Sequence, residues 1–224
     1  MIAAFIYSRS NSERLPNKAF KNVGDKKLIE HVIHSTLELH VDLEVILLTS
    51  NHPQDDKLEE IALNSGIKCM RGSLNNVALR TIQAIEEFKV KKFLRINGDT
   101  PILLNSLYEE GLKYSKDYEI VSNILERTYN YGISFELISS ELFLKYYEEF
   151  NETDREHITN YFYRNQKSFK IKSITSSENY FKKGKKLAID TYEDLEFMDK
   201  ILKSYPNARK WDIKTLNEKI NNIL

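Results

Sequence analysis

Residues 2–18 read IAAFIYSRSNSERLPNK, an apolar run that is followed by a polar loop. Its first six residues form an apolar run that is typical of a buried strand. The remainder is polar and carries three cations, Arg9, Arg14 and Lys18, against the single acid Glu13. Open α/β sheets bind ligands beyond the carboxyl ends of their strands, so a cation-rich loop at this position predicts a site for an anion.

Apolar runs alternate with amphipathic stretches beyond this loop. The apolar runs are EVILLT (44–49), IKCM (67–70) and KKFLRI (91–96), and the segments with helical spacing between them are 26–39, 55–64 and 75–88. This β-α-β-α-β-α-β order predicts an α/β fold with a mainly parallel central sheet and helices on both faces.

The second half continues the alternation less regularly. EIVSNI, ISFELI and LAID (187–190) read as strands, residues 140–150 and 154–165 as helices, and a long helix is expected to begin at Thr191. We found no repeat or Pro/Gly-rich linker. We therefore predict one domain over 1–224. Residues from about 125 to 185 are expected to form a small subsidiary lobe that serves substrate binding or dimerisation. If the lobe serves dimerisation, the protein would be a homodimer.

Composition narrows the classes of partner and the compartment. Lys plus Arg and Asp plus Glu both number 33, so no overall field attracts nucleic acid or an anionic membrane. The single cysteine, Cys69, excludes an internal disulfide and suits a reducing compartment. No apolar run approaches the ~20 residues of a membrane span and no signal peptide is recognisable, so a cytoplasmic protein is expected.

The opening loop lacks the glycine-rich cradle of a P-loop. Asn11 and Asn17 are its best candidates for left-handed backbone, which glycine would otherwise supply. Its arginines offer forked donors to phosphate oxygens, and Lys18 offers a mobile charge. We interpret the loop as the grip for a nucleoside triphosphate; a solvated basic loop is the alternative.

Two aspartates are candidates for binding a divalent cation. Asp99 follows the strand KKFLRI within RINGDTP, although an Asx turn would also suit it there. Asp190 closes LAID and precedes Thr191, which with Asp194 is typical of a helix-capping box. Mg²⁺ prefers a few carboxylates together with phosphates and water, so Asp99 and Asp190 predict a magnesium site if the fold brings them together.

Two further segments have both structural and functional readings. RGSLNN (71–76) offers backbone amides and Ser73 to a base or phosphate, but Ser73 would equally cap the following helix. DREHITNYFYRN (154–165) places Arg155 and His157 on or near a helix, where a lone histidine is more often structural than functional.

Several motifs together resemble the cytidylyltransferase family that makes CMP-activated acidic sugars. The matching segments are SRSNSERLPNK (8–18), RGSLNNVALR (71–80), LRINGDTPIL (94–103), RTYNYGISFELIS (127–139), REHITNYFYRN (155–165) and AIDTYEDLEFM (188–198). The branch that looks most similar is the spore-coat polysaccharide F type. The resemblance spans roughly residues 2–203 and implies a Rossmann-like fold of the nucleotide-diphospho-sugar transferase kind.

The resemblance also implies the reaction and its residues. An acidic sugar, or a similar acid, would attack the α-phosphate of CTP in line and release pyrophosphate, for polysaccharide or glycan synthesis. CTP would be bound by Ser8, Arg9, Ser10, Arg14, Lys18, Arg71 and Ser73, Mg²⁺ by Asp99 and Asp190, and the acceptor by Arg155 and His157, with Arg9, Lys18 and Asp99 acting in catalysis. The alternatives are another nucleotidyl or glycosyl transfer on this fold and a non-catalytic nucleotide-binding module.

Four positions depart from the usual family pattern. Asn75, Asn76, Leu79 and Ser134 stand where related sequences carry acids. If the acid usual at position 134 orients the acceptor, the natural substrate is expected to differ from the common nonulosonic and octulosonic acids.

Overall fold

The computed structural model describes residues 1–12 and 14–223. The strands in chain order are β1 (Ile2–Tyr7), β2 (Asn22–Val23), β3 (Lys26–Lys27), β4 (Glu44–Ser50), β5 (Lys68–Gly72), β6 (Lys92–Asn97), β7 (Ile120–Ser122), β8 (Glu136–Ser139) and β9 (Ile171–Ser173). Among the described residues, seven of them form one sheet in the order β5-β4-β1-β6-β8-β7-β9. Strands β2 and β3 form a small separate hairpin.

Helices cover both faces of this sheet. They are α1 (Leu28–Leu37), α2 (Asp56–Asn64), α3 (Val77–Phe88), α4 (Asn105–Lys113), α5 (Ser140–Tyr146), α6 (Glu152–Glu156), α7 (Asn160–Arg164), α8 (Tyr180–Lys183), α9 (Tyr192–Ser204) and α10 (Ile213–Ile220). Alternate residues of β1 pack into two separate cores, with Ala4 and Ile6 on the α1 face and Ala3 and Phe5 on the α3 face. A strand buried on both faces reads as one continuous apolar run, which is why IAAFI shows no alternation.

The predicted α/β fold with a mainly parallel sheet is confirmed. Strand β1 pairs in parallel with β4 on one side and with β6 on the other. Strand β8 runs antiparallel to β6 and to β7, and β9 again pairs in parallel with β7. The carboxyl ends of β1, β4, β5 and β6 therefore lie along one edge of the sheet, where the amino end of β8 joins them.

Two predicted elements of the second half are wrong. LAID (187–190) is not a strand: Leu187 N–H donates to Tyr131 O and Ile189 N–H to Asp99 O, without a continuous ladder. The helix predicted over 154–165 is broken at His157 into α6 and α7. The carboxylate of Asp154 accepts from the N–H of Asn151, which is the N-cap of α6, and from both terminal nitrogens of the Arg164 guanidinium, so that it ties α7 to α6.

The segment of about 125–185, predicted as a subsidiary lobe, contributes β8 and β9 to the main sheet. Its predicted role in substrate binding or dimerisation stays a proposal. Within residues 1–12 and 14–223, no helix has both the length and the apolar character needed to span a bilayer.

Candidate functional site

The site begins where β1 and β6 end side by side. Tyr7 and Asn97 are paired in the register of the two strands, and Gly98 N–H donates to Tyr7 O at 2.9 Å. A Cβ at position 98 would lie 2.7 Å from that oxygen and 2.8 Å from the Cβ of Ser8. Glycine at position 98 therefore lets the loop that bears Asp99 approach the opening loop closely.

The opening loop is anchored to the sheet at Ser10. The Ser10 N–H donates to Asp55 Oδ1 at 2.7 Å, and the hydroxyl of Ser50 donates to the other oxygen of the same carboxylate. The loop closes where Asn17 N–H donates to Ser10 O, with Asn17 in the left-handed region at φ 56°. The expectation of left-handed backbone is confirmed for Asn17 and wrong for Asn11, which is not among the described residues with positive φ.

Asp55 was missed by the sequence analysis, which placed it at the start of a helix. It lies in a 3₁₀ turn (Pro53–Asp55) before α2 and is 1% exposed. We expect Asp55→Ala to lower the free energy of unfolding by about 1–3 kcal/mol, because the buried Ser10 N–H and Ser50 hydroxyl lose their acceptor. Denaturant titration tests this, with Asp42→Ala as the matched control, since Asp42 is exposed.

The same variant should change the response to acid. Burial acts to raise the pKa of Asp55, but the hydrogen bonds from Ser50 and Ser10 outweigh it and hold the pKa below the usual 3.8. A depressed carboxyl pKa stabilises the fold above the unfolded value, and this stabilisation is lost as pH falls below about 3.8 through the folded pKa. The difference in the free energy of unfolding between wild type and Asp55→Ala should therefore become smaller below that pH. A gap of constant size down to pH ~2.5 would contradict the assignment.

The centre of the site is an ammonium group between two carboxylates. Lys18 Nζ lies 2.8 Å from Asp99 Oδ2 and 3.3 Å from Asp190 Oδ1, and it also donates to Ile189 O at 3.0 Å. The fold thus brings together two aspartates that are 91 positions apart in the sequence (190 − 99 = 91). Lys18 and Asp99 belong to the predicted catalytic set, which also includes Arg9, and Asp99 and Asp190 are the predicted metal ligands; these roles stay predictions.

Asp190 is surrounded by cations. Arg14 lies 3.1 Å from Oδ1, and Lys186 lies 3.0 Å from Oδ2 while also binding Asp194 at 2.6 Å. Burial acts to raise the pKa of Asp190, but Lys186 and Lys18 outweigh it, so the pKa is lowered and the group stays ionised at neutral pH. Lys186 was not predicted as a site residue. The sequence did offer a hint, because Lys186 is a basic residue four positions before Asp190, the candidate metal ligand.

A cavity of about 460 Å³ opens beside this centre. Its lining includes Ser8, Arg9, Arg14, Lys18, Asp99, His157 and Asp190 from the predicted set, and also Tyr7, Val77, Arg80, Arg95, Asn97 and Glu156. Arg9 pairs with Glu156, which also lines the cavity, at 2.8 Å. One cavity therefore contains the predicted phosphate, metal and acceptor groups together.

Four predicted side chains lie outside the described cavity lining. The guanidinium of Arg71 is held by Asp56, Glu59 and two backbone carbonyls on the α2 side. The hydroxyl of Ser73 accepts from Asn76 N–H, and Asn76, not Ser73, caps α3. Ser10 is buried in the anchor of the loop, and Arg155 stacks over the Tyr147 ring. The roles suggested for them stay predictions.

Two arginines on the cavity wall were also missed. Arg80 is 2% exposed, and Arg95 pairs with the buried Glu136 at 2.5 Å. Glu136 in turn accepts from the hydroxyl of Tyr163 at 2.7 Å. A signal existed for both, because Arg95 interrupts an apolar strand and Arg80 lies on the apolar side of α3, three residues after Val77.

Asp99 and Asp190 fit a divalent cation that is shared with a nucleotide. Among residues 1–12 and 14–223, no cluster of three or more His, Cys, Asp or Glu side chains is placed to hold a metal ion. Mg²⁺, however, commonly takes one or two carboxylates and completes its shell with phosphate and water. In the structure the ammonium of Lys18 contacts both carboxylates, so these two side chains together stabilise a positive charge.

Comparison with known proteins identifies relatives along nearly the whole chain. A sequence model described as Cytidylyltransferase matches residues 3–220. The Spore coat polysaccharide biosynthesis protein SpsF of Bacillus subtilis is 25% identical over 205 residues, covering 87% of this chain and 83% of SpsF. A cytidylyltransferase from Leptospira borgpetersenii serovar Hardjo-bovis is 26% identical, with a TM-score of 0.91 over 99% of this chain and 94% of the other.

A more distant structure shares the fold. It is CMP:2-keto-3-deoxy-manno-octonic acid synthetase complexed with CTP, which is 13% identical with a TM-score of 0.68. The match covers 91% of this chain and 98% of the synthetase. At this identity the likeness supports the Rossmann-like architecture alone.

Proposed function

Because the chain belongs to the cytidylyltransferase family and is thus a nucleotidyltransferase, we propose that it transfers CMP from CTP to an acidic sugar or a similar acid, with release of pyrophosphate. The observation that carries the proposal is the convergence of Lys18, Asp99 and Asp190 beneath the cationic opening loop. The proposed product is an activated sugar acid for surface polysaccharide or glycan synthesis. SpsF, whose name refers to polysaccharide synthesis, is similar over most of the chain.

The loop cations would bind the triphosphate. Arg14 and Lys18 both contact Asp190, near which the phosphates are expected. Arg9 lines the same cavity and pairs with Glu156. Forked guanidinium donors match phosphate oxygens, and the ammonium adds a point charge. The chain's own residues thus neutralise and orient the nucleotide, which is what phosphoryl-type transfer requires instead of a protein nucleophile.

Asp99 and Asp190 would hold Mg²⁺. When bound there, the cation would offset the repulsion between the carboxylates and the triphosphate and polarise the α-phosphate. Oδ1 of Asp190 faces Lys18 and Arg14, which also line the cavity, whereas Lys186 lies at Oδ2. His157 and Asn97 also line the cavity, and we propose that they contact the acceptor, whose hydroxyl would attack the α-phosphate in line.

Pyrophosphate release provides the test. The purified chain is mixed with CTP, Mg²⁺ and a panel of sugar acids, including nonulosonic and octulosonic acids. Turnover that depends on both CTP and an acid supports the proposal. Binding of CTP without turnover across the panel would favour a nucleotide-binding module. Efficient turnover of a common octulosonic acid would show that the replacement at Ser134 is unimportant; in the structure the Ser134 side chain is buried away from the described cavity lining.

Arg9 provides a further prediction. We expect Arg9→Ala to weaken CTP binding by about 1.5–3 kcal/mol, which is the contribution of hydrogen bonds to charged groups. Glu156→Gln is the matched variant, because it removes the present partner of Arg9 and should leave CTP binding at least as tight. Calorimetry with CTP measures both. An unchanged affinity in Arg9→Ala would remove Arg9 from the phosphate grip.

A further inference from the structure

The segment that carries Asp190 is held in place without belonging to a helix or a strand. Residues 185–190 have irregular backbone, and their two apolar side chains at Leu187 and Ile189 are buried in the main core. The N–H groups of Leu187 and Ile189 donate to backbone carbonyls of other loops, at 2.6 and 3.0 Å. The position of the Asp190 carboxylate therefore depends on a small number of separate contacts along this segment.

A buried pair of amides holds the start of the segment. Asn130 Nδ2 donates to Lys185 O at 3.0 Å and to Asn217 Oδ1 at 2.9 Å. Asn217 Nδ2 donates back to Asn130 Oδ1 at 2.8 Å and also donates to Ile213 O at 2.8 Å. Because each NH₂ group also meets a backbone carbonyl, which can only accept, the orientation of both amides is fixed. The two side chains thus connect α10 to the backbone of Lys185.

The amide pair is closely packed and sealed from water. Asn130 is 1% exposed and Asn217 is 5% exposed, so their hydrogen bonds to protein replace those to solvent. A Cβ at position 184 would overlap with Asn130 Nδ2 and would lie 2.7 Å from Asn217 Oδ1. Glycine at position 184 therefore lets the chain pass directly over the pair immediately before it enters the segment 185–190.

The residues next to this contact lead to the proposed metal site. Lys186 follows the carbonyl that Asn130 holds, and its ammonium lies 3.0 Å from Oδ2 of Asp190. Neither Asn130 nor Asn217 is among the described residues that line the cavity. Any effect of these two amides on the reaction must therefore pass through the backbone of 185–190, which makes them positioning residues.

We infer that Asn217 and Asn130 position Asp190 for metal binding, so that α10 sets the metal affinity of a site that it does not touch. This inference rests on the proposed function, in which Asp190 is a ligand of Mg²⁺. Groups that orient metal ligands from outside the coordination shell typically contribute ~10–100-fold to metal affinity or activity. A loss of the amide pair should therefore appear first in the affinity for the metal.

The test measures Mn²⁺ binding to the protein–CTP complex by the relaxation of water protons. In Asn217→Ala the Kd for Mn²⁺ should rise about tenfold or more, because Asp190 is no longer held in one position. CTP affinity in the absence of metal, measured by calorimetry, should stay within about threefold of wild type, since the loop cations are unchanged. Asn130→Ala should behave in the same way, and the double variant should be little worse than either single one, because the two amides act as one contact.

Leu216→Ala is the matched control. Leu216 precedes Asn217 on α10 and is fully buried in the main core, so its truncation destabilises the same helix through lost packing and keeps both amides. Its Kd for Mn²⁺ should stay within about threefold of wild type. Exchange of the Leu187 and Ile189 amide protons with deuterium should be faster in Asn217→Ala than in Leu216→Ala, because local opening of the segment follows the loss of its own contacts.

Two outcomes would overturn the inference. One is wild-type Mn²⁺ affinity in a folded Asn217→Ala, and the other is an equal loss in Leu216→Ala, which would indicate a general effect of stability. If Asn217→Ala does not fold, as judged by circular dichroism, Asn217→Ser replaces it under the same criteria. A wild-type CTP complex that fails to bind Mn²⁺, or an unchanged Kd in Asp190→Asn, would instead count against the proposed function itself.

Discussion

Asp99→Asn and Asp190→Asn are each expected to lower turnover at saturating Mg²⁺ by about 100-fold or more, since metal sites contribute several kcal/mol to such transition states. Each variant keeps the side-chain shape but removes a charge that faces the cavity. The double variant should be little worse than either single one, because groups that act on one ion act as a unit. Steady-state pyrophosphate release measures the effect.

The comparison requires that all variants are folded to the same extent as wild type. Asp117→Asn is a suitable control, because Asp117 is exposed and outside the described cavity lining. Circular dichroism should show the same helix content in all variants. Near-wild-type turnover in either single variant would remove that aspartate from the proposed metal site. Strictly multiplicative losses in the double variant would indicate two independent roles.

Lys18→Met should have a comparably large effect on turnover. Its ammonium contacts the carboxylates of both Asp99 and Asp190. In the proposed reaction it would balance charge on the departing pyrophosphate. Removal of one donor to a developing charge typically costs ~10²–10³-fold in kcat. We expect most of the loss in kcat rather than in KM for CTP, because Arg9 and Arg14 remain to bind the triphosphate.

Lys21→Met is the matched control for Lys18→Met. Lys21 lies three residues further along, with its ammonium 4.9 Å from the centre of the Tyr192 ring, and it is not among the described lining residues. Its turnover should stay near wild type. If Lys18→Met retained kcat within about threefold and only KM rose, the ammonium would serve ground-state binding alone.

The sequence predicted the fold and the centre of the site because both depend on local patterns. Strands buried on both faces require continuous apolar runs, and the ends of parallel strands must meet at one edge of the sheet. The positions of Asp99 and the opening loop therefore follow from the sequence pattern alone. Asp190 lies beside Lys18 and Asp99 although the strand predicted for it is wrong, and its role as a metal ligand stays a prediction. Its position depends on the cap at Thr191, which the sequence did show.

The missed features depend on contacts between distant parts of the chain. Asp55 reads as the start of a helix, and its hydrogen bond to Ser10, 45 positions away, has no local signature. The side chain of Arg71 turns away because Asp56 and Glu59 on α2 lie within reach, which composition alone does not reveal. Arg80 and Arg95 did have a signal, since each breaks an apolar pattern, and charges at such positions favour function over packing.

The central position of β1 in the sheet also governs when the site is assembled during synthesis. On the ribosome, β1 emerges long before β6, its partner on one side, because Ile2 pairs with Lys92, 90 positions later (92 − 2 = 90). Its apolar surface stays without that neighbour for this interval, when aggregation competes and chaperones act. Asp190 is added later still. Nascent chains therefore acquire the opening loop early but complete its surroundings only after residue 190 has been synthesised.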